Sequence, residues 1–144
     1  MSLSNIFDIA GSGMNAQSMR MNTTASNLSN AQTASGTAEG VYRAKHPVFE
    51  AVQQQLAEWN SLGANQNDAA AVRVKGVFED QTAAQARYEP GHSLADEEGY
   101  VFYPNVNVVE EMSNMISASR SFQINVEVMN SAKTMAQRVL SLGQ

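Results

Sequence analysis

The sequence predicts a mainly α-helical protein with a small β-rich insert. Long N- and C-terminal helices are expected to pair in coiled-coil fashion and to frame a short middle β region. Three observations predict this. Apolar and small residues recur at steps of three and four near both chain ends. The middle carries short β-type runs with turns at Pro90-Gly91 and Glu98-Gly99. Pro104 stops whatever precedes the second helical stretch. The expected division is an N-terminal helical assembly segment over 1–35, a β-rich region over 36–104 and a C-terminal helix over 105–144.

The first helix is expected over residues 5 to about 31. Its stripe is Phe7, Ala10, Met14, Gln17, Met21, Thr24, Leu28 and Ala31, the heptad-like spacing of a helix that pairs with another helix. Asn5 reads as an N-cap, and Asp8 as a carboxylate in the first turn. Gln17 and Thr24 make the seam polar in places. Gly11 and Gly13 weaken the helix by roughly 1 kcal/mol each relative to Ala. Such a helix is poorly stable alone, so it is expected to order only when neighbours cover it.

The second helix is expected over 107 to 141, where Asn107 and Glu110 have the spacing of a capping box. Its stripe is Met115, Ala118, Phe122, Asn125, Met129, Ala132, Ala136 and Val139, widened by Met112, Ile116, Ser119 and Val126. Arg138 lies near the C-terminal end of the dipole, and Gly143 offers a stop. A helix of this length spans roughly 50 Å, more than a chain this small can cover unaided. The first helix can cover one side, and other subunits are expected on the rest. Met112, Met115, Phe122 and Met129 contribute roughly 1.5–3 kcal/mol each if fully buried, and an aggregation-prone patch if not.

In the middle, Val72 to Val74 alternates, and Val77-Phe78 follows Gly76. Tyr100 to Tyr103 is a second β-type run, and Tyr42 to Val52 a third, in which Pro47 argues for an edge strand or none. Gln53 to Asn67 reads equally as a helical turn or a polar loop.

Composition narrows the function. Of 144 residues 43% are hydrophobic, but the set is rich in Met and small side chains, which suit close helix packing more than a rigid interior. The formal charge is -5 with no basic cluster, so no nucleic-acid partner is expected. With no cysteine, disulfides and thiolate metal sites are excluded. No apolar run reaches the roughly 18–20 residues of a bilayer span, and the N-terminus does not read as a cleaved secretory signal. His46 and His92 are the only histidines and are expected at the surface or in turns. Asp96-Glu97-Glu98 lacks calcium-loop spacing and reads as a solvated turn. No nucleophile elbow or phosphate cradle is present, so no catalytic residues, cofactor, metal or small-molecule substrate are expected.

Several segments resemble a known family. Ala25-Ser26-Asn27-Leu28-Ser29-Asn30-Ala31 is similar to the Asn-Leu-Ala-Asn signature of flagellar rod and hook axial proteins, with Ser29 where Ala is common. Gly99-Tyr100-Val101-Phe102-Tyr103-Pro104-Asn105-Val106-Asn107 and its continuation to Lys133 resemble the C-terminal helix of the proximal rod members. Tyr42 to Phe49 and Tyr88 to His92 are similar again. The resemblance implies a structural, non-enzymatic subunit of the flagellar basal-body rod, the drive-shaft that transmits motor torque to the hook. It implies type III export without a cleaved signal and assembly in the periplasm. The implied partners are copies of the chain, other rod proteins, the rod-base or export-gate adaptor protein, and the export apparatus.

The residues expected at subunit interfaces are Phe7, Met14, Met21, Asn27, Leu28 and Asn30 on the first helix. On the second they are Met112, Met115, Ile116, Phe122, Asn125, Met129 and Val139. Asn27 and Asn30 share a helix face, and a buried Asn there fixes register at some loss of stability. Both also suit a helix end, where Asn favours caps and turns. A soluble coiled-coil adaptor or secreted effector is the alternative class. It is expected to form a discrete small complex with both termini ordered.

Overall fold

The structure is a computed structural model that describes residues 3–53 and 70–142. In chain order it contains α1 (Leu3–Asn30), β1 (Lys45–Gln53), β2 (Ala70–Glu79), β3 (Gln85–Tyr88), β4 (Tyr100–Tyr103) and α2 (Val108–Leu142). The two terminal helices and the small antiparallel β region between them match the predicted plan.

α1 starts earlier than the sequence suggests. Asn5 therefore lies inside the helix rather than capping it, and no acidic residue falls in the first turn, Asp8 included. Nothing in Leu3-Ser4 resists helix formation, so the chain does not wait for the Asn. At the other end α1 closes through turn bonds from Ala31 N to Leu28 O (3.3 Å) and from Thr33 N to Asn30 O (3.0 Å). α2 begins where predicted, because Asn107 caps it. Its Oδ1 accepts from Val109 N at 3.1 Å and Glu110 N at 3.4 Å, satisfying first-turn donors.

The helices pack antiparallel. Asn27 lies beside Glu111, Arg20 Nη2 donates to Asn114 Oδ1 at 2.9 Å, and Gly13 approaches Asn125. A Cβ built on Gly13 would lie 2.9 Å from Asn125 Nδ2, so the glycine permits this approach. The buried apolar residues are Ala10, Ala16, Val41, Ala44, Val101, Ala118 and Ala132 among the described residues. None is a Leu, Ile, Met or Phe. The seam is narrow and made of small side chains, and the larger apolar groups lie at its margins.

β1 and β2 form an antiparallel pair running from Lys45↔Glu79 to Gln53↔Ala70. The runs expected at 72–74 and 77–78 are one strand, and the run expected from Tyr42 begins at Lys45. The register shifts between Val48 and Phe49, leaving Lys75 as the extra residue beside Gly76. The apparent break in alternation is thus a bulge, not a strand end. Pro47 sits in β1, which among the described residues pairs with β2 alone, in keeping with its edge preference. Of the ambiguous Gln53 to Asn67 segment, Gln53 ends β1 and the remainder lies outside the described residues. This hairpin packs along α1, and Val72 N donates to Ser12 Oγ at 3.2 Å.

β3 and β4 form a second antiparallel pair, and β3 was not foreseen. All four of its residues are exposed, so Gln-Ala-Arg-Tyr shows no apolar alternation to read. The connection turns at Gly99, whose φ of 84° suits glycine. A Cβ there would meet Tyr88 Cε2 at 2.9 Å. β4 is anchored beyond the end of α1 by reciprocal backbone bonds between Ser35 and Phe102, each 2.9 Å.

Candidate assembly interface

The interior of the chain is organised around one amide. Asn27 is fully buried, and it and Val101 are the largest fully buried side chains among the described residues. Its Nδ2 donates to Lys45 O at 2.9 Å and to Glu111 Oε2 at 3.1 Å. Its Oδ1 accepts from Tyr42 Oη at 2.9 Å and from Lys45 N at 2.8 Å. The backbone donor and acceptor of Lys45 fix which way the amide points. All four of its bonds are made, so burial leaves nothing unpaired. Ser26 Oγ, 3.1 Å from Tyr42 Oη, continues the network. Three separate pieces are joined here: α1, the strand entry at Lys45, and the first turn of α2, where Glu111 is itself buried.

Asn30 has a different part. It is the last residue of α1, and its Nδ2 donates back to Ser26 O at 2.8 Å and to Ser29 Oγ at 3.3 Å. The two asparagines therefore do not act together. Of the other α1 residues expected at an interface, Phe7, Met14, Met21 and Leu28 are half-buried. Burial on α1 takes in Ala16 and Thr23 as well as Ala10 and Thr24, because the helix packs against both α2 and the β1–β2 hairpin. Gln17 points inward, and its Oε1 is buried without a hydrogen-bond partner.

On α2, Met115, Phe122, Asn125 and Met129 are half-buried along the seam, around fully covered Ala118 and Ala132. Met112, Ile116 and Val139 stand in solvent, with Ile116 59% and Val139 62% exposed. They belong to two uncovered sets. Val109, Met112 and Ile116 form a patch over the first turns. Ile124, Val128, Met135 and Val139 recur at steps of four, seven and four along the C-terminal half, which places them on the opposite flank of the seam at 3.6 residues per turn. The hairpin adds a third uncovered set: Val48, Phe49, Val77 and Phe78, the last stacked 5.4 Å from His46.

The remaining polar features are local. His92 Nδ1 accepts from Leu94 N at 3.1 Å. Asp96 Oδ1 accepts from Glu98 N at 3.0 Å and Tyr100 N at 2.8 Å, which makes the acidic run a turn. Tyr103 Oη donates to Glu89 Oε2 at 3.1 Å. Among the described residues no group of three or more His, Asp or Glu is placed to hold a metal ion. No described helix is long and apolar enough to cross a membrane.

Sequence reasoning missed Tyr42 and Glu111 as partners of Asn27, because nothing in spacing links positions 15 and 84 residues apart. It missed the hairpin surface as well. Phe49, Val77 and Phe78 were legible as strand residues, but not as residues left uncovered.

A thin seam of small side chains with large apolar groups on both flanks is the build of a chain that associates with others. The comparisons agree with that class. Residues 7–34 match the family model described as "Flagella basal body rod protein", and residues 97–142 match "Flagellar basal body rod FlgEFG protein C-terminal". The chain is 49% identical to the flagellar basal-body rod protein FlgC of Escherichia coli O6:H1 over 144 residues, covering 100% of both chains. It is equally similar, over the same coverage, to FlgC of Salmonella typhimurium. It is 33% identical to FlgC of Borreliella burgdorferi over 158 aligned positions, covering 100% of this chain and 99% of that one. The chain belongs to the FlgC family of flagellar basal-body rod proteins.

Proposed function

We propose that this chain is a structural subunit of the proximal flagellar rod, built into it through the flanks of α2 that its own fold leaves bare. The observation that carries this is the line of Ile124, Val128, Met135 and Val139, exposed beside a seam closed by alanines. In the assembly these side chains would meet helices of neighbouring subunits in coiled-coil manner, with Met112 and Ile116 meeting a different neighbour. The segments 1–35 and 105–144 then form the assembling part, and 36–104 stands against it. The interface residues read from the sequence carry over, with Asn27 acting indirectly by holding the two helices in register. The partners are copies of the chain, other rod proteins, and the adaptor at the rod base. The export apparatus delivers the chain to the periplasm without signal cleavage. No part of this role is catalytic.

The test is complementation. A deletion strain that lacks this chain, made from a motile parent, is supplied with the Ile124→Asp, Val128→Asp double variant. Both positions are exposed, so the variant should keep its helical spectrum. It should be missing from purified basal bodies and leave cells non-motile. Normal incorporation would contradict the proposal.

A second consequence concerns α1. Its seam of Ala, Gly, Thr and Asn gives it little of its own to hold it, so we expect it to order fully only in the rod. Amide exchange across Ile6 to Leu28 should be faster in dilute monomer than in assembled rods. Equal protection in the two states would contradict this.

A further inference from the structure

We propose that the β1–β2 hairpin is a hinged strap: its distal half lifts off α1 as a unit, turning at the bulge, while its root stays fixed to both terminal helices. The motion belongs to the free chain and holds whether or not the chain is a rod subunit. The bulge divides the hairpin in two. The root is Lys45 to Val48 paired with Gly76 to Glu79, and the distal half is Phe49 to Gln53 paired with Ala70 to Val74. Lys75 lies between them with no residue opposite.

The two halves are held differently. At the root, Asn27 engages both backbone groups of Lys45, donating to its O at 2.9 Å and accepting from its N at 2.8 Å. The same amide donates to the buried Glu111 of α2. Asp80 N donates to Ala44 O at 2.8 Å and extends the ladder past the root. The distal half reaches α1 through Val72 N, which donates to Ser12 Oγ at 3.2 Å in an exposed position. Its cross-strand ion pair, Arg73 to Glu50 at 3.4 Å, is exposed as well and adds little.

Apolar contact does not make up the difference. Lys45, Val77 and Glu79 line a cleft with Asn22, Thr23 and Ser26, so that side of the root faces α1. Alternation along β1 carries the same side to Phe49, and pairing carries it to Val74 and Val72. Phe49 and Val72 are nonetheless each 37% exposed. An element with exposed hydrogen bonds and few covered apolar groups opens at low cost, and the interrupted ladder at the bulge lets the opening end there. Gly76, beside the bulge, has nothing within 4 Å of where a Cβ would stand, so its backbone is free to turn. Lifting bares the Ser12 side of α1 together with Phe49 and Val72, so one motion uncovers two surfaces.

The test is amide exchange on the purified full chain, read residue by residue by NMR. Paired amides of the distal half should exchange together and about tenfold faster than those of the root, with a step at the bulge. Ser12→Ala removes the acceptor of Val72 N and keeps a good helix former in α1. It should speed the distal half about threefold and leave the root unchanged. Gly76→Val adds a β-branched side chain in open space and stiffens the hinge, so it should slow the distal half about threefold. A gradual rise in rate from the root to Gln53 and Ala70, as in ordinary fraying, would overturn the proposal. So would unchanged distal exchange in either variant. Should Gly76→Val fail to fold, as circular dichroism would show, Ser12→Ala decides alone.

Discussion

Asn27 shows how much one side chain can settle in a chain with so small an interior. Removing its amide would leave the Lys45 N–H, the Lys45 carbonyl and the buried Glu111 carboxylate short of a partner together. Asn27→Ala is therefore expected to lower stability by roughly 2–4 kcal/mol in urea denaturation, well above an ordinary polar-to-Ala change. A loss under about 1 kcal/mol would mean that water replaces the amide without penalty. The glycines of α1 divide in a way that only the structure reveals. A Cβ on Gly11 meets nothing within 4 Å, so Gly11→Ala should stabilise the chain by up to about 1 kcal/mol. Gly13→Ala must push Asn125 aside and should gain less or lose. Comparing the two thermal midpoints checks this, and equal shifts would mean that the Gly13–Asn125 approach is not tight. Gln17 carries an acceptor buried without a partner. It is the residue-scale sign that the seam is closed only in part.

At the scale of elements, the two helices were readable and the faces they bury less so. α2 was located to within a residue because its apolar period is long and Asn107 caps it. Asn107→Ala is expected to cost about 1 kcal/mol, read as a lower denaturation midpoint. α1 was found too, with Ala10 and Thr24 of its stripe buried, but Ala16 and Thr23, off that stripe, are buried as well. A heptad reading assumes one partner, whereas α1 has two: α2 on one side and the β1–β2 hairpin on the other. The hairpin itself was half legible. Gly76 interrupted the alternation, and a bulge in one strand cannot be told from a gap between two without seeing the pairing. β3 was illegible because none of its residues is buried. Of the assembly residues, those on α2 were legible from their period, since exposed and covered apolar groups alternate around the same helix. Which of them the chain covers itself depends on how α1 lies, and periodicity does not carry that.

The whole molecule is a frame with its larger apolar side chains at the rim. A protein that folds alone places Leu, Ile, Phe and Met at its centre and polar groups outside. This chain centres on Ala, Val and one Asn, and keeps its Met, Ile and Phe at margins and flanks. That inversion suits a subunit completed by neighbours, and it agrees with full-length membership of a rod-protein family. The methionines are native probes of this account. Met112 is 50% exposed and Met135 61%, on the two different flanks of α2, while Met115 and Met129 lie half-buried along the seam. Thioether oxidation follows exposure, so limited peroxide treatment followed by mass spectrometry reads each flank separately. The account predicts rapid oxidation of Met112 and Met135 in the purified chain and strong protection of both in intact basal bodies. Equal oxidation in the two states would show that α2 keeps its flanks bare in the rod, and would contradict the claim that those flanks are where the subunit is built in.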